Sequence, residues 1–147
     1  MDNKTKFKTR LAAVQLVSQQ LINKEDIELL KVDFDNNYRN TKLEQNSEKI
    51  TYNINFLSKI IGYYKIIKFE NISIEIDNLI NFKRNFAKWD TLNQAIILVS
   101  ISEIRNSNKD KTKIILNDYL EISKFFVTTK ETKLINSILD KLIYDKK

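Results

Sequence analysis

The chain has 147 residues, 42% of them hydrophobic and 30% charged, the balance of a folded domain rather than a disordered segment. Histidine, cysteine and proline are absent and Gly62 is the only glycine, which excludes disulfides, Cys/His zinc sites, thiol nucleophiles, imidazole bases and every glycine-rich phosphate loop. Lysine and arginine number 25 against 19 acidic residues, a difference of +6 that suits a polyanionic partner, although much of it is lysine in an Ile- and Asn-rich composition.

Taken in chain order, Lys6 to Ile22 is the first clear helix, with Phe7, Leu11, Val14, Val17 and Leu21 spaced at three and four and Asn23 at its end. Glu25 to Phe34 is a shorter helix carrying Ile27, Leu30 and Phe34. Asp35 to Ser47 is polar and is expected to be a loop, with a capping-box spacing at Thr41-x-x-Glu44. Ser47 is then expected to cap a long helix through Ile67, with Ile50, Ile54, Leu57, Ile61, Tyr64 and Ile67 inward. Gly62 inside that run suggests close approach of a neighbouring helix. From Asn71 another helical pattern carries Ile72, Ile76, Leu79, Ile80, Phe82 and Phe86, and no strand pattern exists to pair with the local Ile72-Ser-Ile-Glu-Ile alternation.

Asp90 or Thr91 is expected to cap the next helix, with Leu92, Ala95, Ile96, Val99 and Ile104 inward. A polar connection from Arg105 to Lys111 precedes a segment marked by Ile114, Ile115, Leu120, Ile122 and Phe126. Thr128-x-x-Glu131 has capping-box spacing and opens a last helix with Leu134, Ile135, Ile138, Leu142 and Ile143. The expectation is an all-α, compact bundle of six or seven amphipathic helices in one domain spanning 1–147. The N-terminus has no apolar core of a secretory signal, and the longest apolar run, Ala95 to Ile101, is far short of a membrane span, so the protein is expected in the cytoplasm.

No catalytic, metal-binding or cofactor-binding constellation emerges. Asp118 and Glu121 share a helix face at i, i+3, but such pairs are ordinarily solvated. Lys4, Lys6, Lys8 and Arg10 lead into the first helix with only Asp2 opposing them, an electrostatic footprint for phosphates or, alternatively, a merely solvated terminus. Phe7 interleaves with them and either stacks a base or joins the core.

Several stretches together resemble the NusB family: Arg10-Leu-Ala-Ala-Val-Gln-Leu-Val-Ser-Gln-Gln-Leu21, Leu92 to Ile104, and Lys113 to Phe126 followed by Leu134-Ile-Asn-Ser-Ile-Leu-Asp-Lys-Leu142. The family's opening helix is usually arginine-rich, whereas three of the four basic groups here are lysine, which attracts phosphate without arginine's planar fork. Leu98, Asp118 and Ser137 stand where the family usually has arginine, glutamate and glycine. The resemblance implies a non-enzymatic transcription antitermination factor that grips single-stranded boxA RNA of nascent ribosomal transcripts together with the ribosomal protein NusE, and then joins the RNA polymerase antitermination complex. It places Lys4, Lys6, Lys8, Arg10 and Gln15 against RNA and the second-half helices against the protein partner. Glu103, Asn117, Asp118, Asn136 and Asp140 are expected either as buried polar clips between helices or as contacts to a ligand, and Lys130, like Asn93, as an exposed position tuning partner affinity. The resemblance allows a homodimer and offers no membrane contact. Two other readings are an accessory module serving a separate ribosomal-RNA-modifying enzyme and a plain helical interaction module.

Overall fold

The computed structural model describes residues 1–39, 51–79 and 85–144. Among these are seven α-helices and two short 3₁₀ turns, with no strand. The helices are α1 (Asn3–Asn23), α2 (Ile27–Asn37), α3 (Ile54–Ile66), α4 (Phe69–Leu79), α5 (Thr91–Arg105), α6 (Thr112–Phe126) and α7 (Thr129–Tyr144). The predicted Thr41-x-x-Glu44 turn, the Ser47 cap and the core positions Ile50, Ile80 and Phe82 lie outside the described residues.

Helix α5 is the axis of the bundle. From Asn93 to Ile104 every residue is buried, because α1, α3, α6 and α7 all pack against it. A helix that is apolar or small around its whole circumference is stable only when enclosed. The inward set is therefore wider than the predicted stripe and includes Ile97, Leu98 and Ile101, whereas Leu92 at the open end stays half-exposed. Ser100 and Ser102 are fully buried without penalty, since their hydroxyls donate to the carbonyls of Ile97 (3.1 Å) and Val99 (2.8 Å).

Helix α1 starts at Asn3, earlier than its apolar pattern, because Asp2 caps it by accepting the Thr5 N–H at 2.7 Å. It ends at Lys24, held at φ 56° in the left-handed region with its N–H on the Gln20 carbonyl at 2.7 Å. Ala12, Ala13, Val14, Leu16 and Val17 bury their side chains completely or nearly so, and Phe7, Leu11 and Leu21 pack at the margin. In α2, Asp26 is the cap and Ile27, Leu30 and Phe34 face inward.

The helix expected from Ser47 to Ile67 is not continuous. Thr51 to Asn53 is non-helical, and Asn53 begins a fresh helix by accepting the Phe56 N–H at 2.8 Å while its own N–H donates to Thr9 Oγ1 of α1 at 3.0 Å. Ile54 is consequently exposed, and Leu57, Ile60 and Ile61 carry the burial of α3. Gly62 is exposed, and among the described residues a Cβ there would meet nothing within 4 Å, so none of the described helices approaches it closely.

The Ile72-Ser-Ile-Glu-Ile stretch is helical within α4, which presents Ile72 and Ile76 to the core. Phe86 follows in a 3₁₀ turn, fully buried between Phe69 and Trp89 with ring centroids 5.5 and 5.2 Å away. In α6 the buried face is Ile115, Tyr119 and Ile122. Ile114, expected inside, is 63% exposed, because it lies a helical step away from that face. The predicted capping box at α7 forms reciprocally. Thr128 Oγ1 accepts the Glu131 N–H at 3.1 Å, and Glu131 Oε1 accepts the Thr128 N–H at 3.2 Å. Behind it Ile135, Ile138, Leu139 and Leu142 are buried.

Candidate nucleic-acid interface

The basic cluster is helical, not a flexible lead-in. Lys4 and Lys6 fall in the first turn of α1, which contains no acidic residue, so two cations sit at the positive end of the helix dipole. Each such placement is unfavourable by roughly 0.3–1 kcal/mol at the surface. Spacing by two also distributes the cluster. Lys4 and Lys8 share one face at i, i+4, together with Phe7, and Lys6 shares the opposite one with Arg10. Lys4 is exposed, while Lys6 and Lys8 are half-buried, Lys8 Nζ donating to Thr51 Oγ1 at 3.2 Å.

Arg10 does not join the lysines. Expected at the surface, it is 5% exposed and stands at the centre of a buried ion network. Its Nε donates to both carboxylate oxygens of Glu103 at 3.0 and 3.1 Å, Nη2 donates to Glu103 Oε2 at 2.7 Å, and Nη1 donates to Asp118 Oδ2 at 2.6 Å. The guanidinium also lies over the Phe56 ring, 5.3 Å from its centroid. Burial alone would lower the pKa of Arg10, but the hydrogen bonds and charge of Glu103 outweigh it and hold the pKa above its ordinary value. A charge committed this fully to two carboxylates is a structural rivet between α1, α5 and α6, in place of the phosphate contact expected of it.

Glu103 therefore acts as the buried clip the sequence allowed for. Its third donor is the Tyr119 hydroxyl, 2.6 Å from Oε1, and complete burial followed by the neighbouring Glu103 charge pushes the Tyr119 pKa well up. Asp118 is the half-exposed member of the set. Tyr119 was not singled out in the sequence, and only its register with Ile115 and Ile122 marks it as interior.

Beside the rivet, Asn3, Lys6 and Arg10 of α1 and Asp110, Lys111, Ile114, Ile115 and Asp118 enclose a cleft of about 430 Å³. Lys111 thus adds a cation next to Lys6 that the linear pattern had not grouped with it. Gln15 is half-buried midway along α1.

Of the remaining expected clips, Asn117, Asn136 and Asp140 are exposed and clip nothing inside the bundle. Asn136 and Asp140 lie one turn apart on the outer side of α7, away from Ile135, Ile138 and Leu142. Lys130 is exposed as expected, but Asn93 is 9% exposed. The Asn93 side-chain amide donates to Glu131 Oε2 at 2.6 Å, which joins the start of α5 to the capping box of α7. That bond, followed by those from Thr128, lowers the Glu131 pKa. Among the described residues no group of acidic side chains is arranged to hold a metal ion, and no helix is long and apolar enough to cross a membrane.

A family model described as NusB family matches residues 7–144, from the aromatic in the basic turn to the end of α7. The chain is 29% identical over 140 residues to the transcription antitermination protein NusB of Rickettsia felis, covering 90% of this chain and 87% of that protein. It is 30% identical over 144 residues to the protein of the same name from Rickettsia bellii, covering 94% of this chain and 89% of that one.

Proposed function

Because the chain belongs to the NusB family, we propose that it works as a transcription antitermination factor, binding boxA-type single-stranded RNA of nascent ribosomal transcripts jointly with the ribosomal protein NusE within the RNA polymerase antitermination complex. In this reading the whole chain, 1–147, acts as one helical RNA-binding domain and performs no catalysis.

The observation that carries it is the pair of lysines in the first turn of α1. A helix start ordinarily favours acidic residues, and positive charge there weakens the helix. Local rules are broken where function asks for it, and the same helix end that repels lysine attracts phosphate. Lys4, Lys6 and Lys8 supply the phosphate contacts, with Lys111 across the cleft and Gln15 farther along α1. Arg10 acts behind them by fixing α1 against α5 and α6. The exposed residues Asn117, Lys130, Asn136 and Asp140 belong to the second-half surface offered to the ribosomal partner.

The test is titration of a boxA-bearing RNA at several salt concentrations, with and without the ribosomal partner. Each phosphate contact on a single strand contributes about 0.7 to the slope of log affinity against log salt, so replacing Lys4, Lys6 and Lys8 by alanine should flatten it by roughly 2. Parallel salt lines for parent and variant would mean that the lysines are only solvated. Affinity for RNA that ignores the ribosomal partner would remove the joint-binding part of the reading.

A further inference from the structure

Phe7 was the aromatic expected either to stack a base or to join the core. It is half-buried and packs against the core, yet it leads to a second aromatic that neither charge nor periodicity had marked. Phe125, in the last turn of α6, is 71% exposed, among the most exposed large apolar side chains of the described residues. Its ring meets Phe7 edge-on, with centroids 6.3 Å apart and planes at 65°. The next residue, Phe126, is the one the fold draws toward the core. Packing thus has no use for most of the Phe125 surface, which is left in water at an apolar cost.

Its position is what gives that surface a use. Phe7 lies between Lys6 and Lys8 in sequence and shares a helix face with Lys4 and Lys8, so the edge-on contact holds Phe125 beside the basic turn of α1. An exposed ring next to clustered cations is the combination that binds single-stranded nucleic acid: the cations follow the backbone and the ring takes a base by stacking, whatever its identity. An apolar protein segment would find the ring but no counterpart for the lysines. We propose that Phe125 is a stacking platform for one unpaired base of the bound RNA, with Phe7 bracing the ring from beneath. This rests on the RNA-binding reading above, and it adds a contact that responds to ring chemistry rather than to salt.

The experiment titrates a labelled oligouridylate, and separately a boxA-bearing RNA, into the parent, Phe125→Ala, Phe125→Leu and Phe125→Trp. Stacking of one base corresponds to a loss of roughly 5- to 150-fold for Phe125→Ala. Phe125→Leu should lose nearly as much, Phe125→Trp should keep the affinity, and its added indole should be quenched on binding. The salt slope of all four should be the same, because no phosphate contact is touched. Since the side chain is exposed, thermal unfolding of the variants should match the parent, which confirms that lost binding is not lost fold. If the parent binds RNA and Phe125→Ala binds equally well, the platform is overturned while the RNA-binding reading stands. If Phe125→Leu retains full affinity, the contact is apolar rather than stacking and the platform is likewise overturned. A parent with no RNA affinity overturns both.

Discussion

Arg10→Met tests the assignment of Arg10 to the interior. Methionine keeps the length and apolar stem but leaves Glu103, which is 2% exposed, without the three guanidinium hydrogen bonds that neutralise it. Removing one partner of a buried ion pair strands the other charge and typically destabilises by about 3–5 kcal/mol. For a chain of this size each kcal/mol lowers the melting temperature by about 2–4 °C, so Arg10→Met should melt on the order of 6–20 °C below the parent. Urea unfolding followed by circular dichroism measures the same quantity isothermally. A second substitution, Glu103→Gln, added to Arg10→Met should recover part of the loss, because a neutral amide is less costly to bury and its oxygen still accepts the Tyr119 hydroxyl. Asp118→Asn alone should cost less than Arg10→Met, since that carboxylate is partly solvated. Stability within about 0.5 kcal/mol of the parent for Arg10→Met, together with a clear fall in RNA affinity, would refute the rivet and return Arg10 to the phosphate-facing group.

Gly62→Ala should stabilise the fold by up to about 1 kcal/mol in urea unfolding, because a methyl group there meets only open space and alanine is the better helix former. Ile115→Ala and Ile122→Ala should each lose about 2–5 kcal/mol, as both side chains are buried in the α6 face. Glu131 has a folded-state pKa below its unfolded value of 4.5, so its contribution is fully present at neutral pH and disappears as pH falls through the folded pKa. The stability gap between parent and Glu131→Gln, measured from pH 7 downward, should therefore narrow only below about pH 4.5. Lys4→Ala and Lys6→Ala should raise thermal stability slightly while lowering RNA affinity, since both cations oppose the helix dipole.

What was legible in the sequence is what local spacing determines. The α7 capping box needs only Thr128 and Glu131, three residues apart, and it forms as read. The stripe of Ile135, Ile138 and Leu142 likewise follows from helical period alone. The illegible parts depend on distant partners. Arg10 reads as one more basic residue of a terminal cluster until Glu103 and Asp118, 93 and 108 positions away, are brought to it. The inward residues of α5 cannot be told from its outward ones by period, because the fold encloses every side of it. The run read as one helix through Ile67 breaks at Thr51 to Asn53 because Asn53 is itself a competent cap, and its tie to Thr9 on another helix is not visible in local spacing. Asn117, Asn136 and Asp140 read either as interior clips or as ligand contacts because they neighbour apolar residues in sequence, and the fold removes the first option, since a helical step of one residue carries a side chain to a different face.

The enclosure of α5 also sets a clock on how the molecule is made. Arg10 and the apolar side of α1 are synthesised 93 residues before Glu103, their partner on the central helix. At roughly 5–20 residues per second the ribosome needs about 5–20 s to deliver α5, and throughout that interval Val14, Leu16 and Val17 have no axis to pack on. Once the axis arrives little remains to delay closure, since helical domains collapse in microseconds to milliseconds and a chain without proline has no slow peptide isomerisation to wait for. Translation rather than folding is then the slow step, and the nascent first helix, apolar along one side and basic at its tip, is the segment that spends longest exposed.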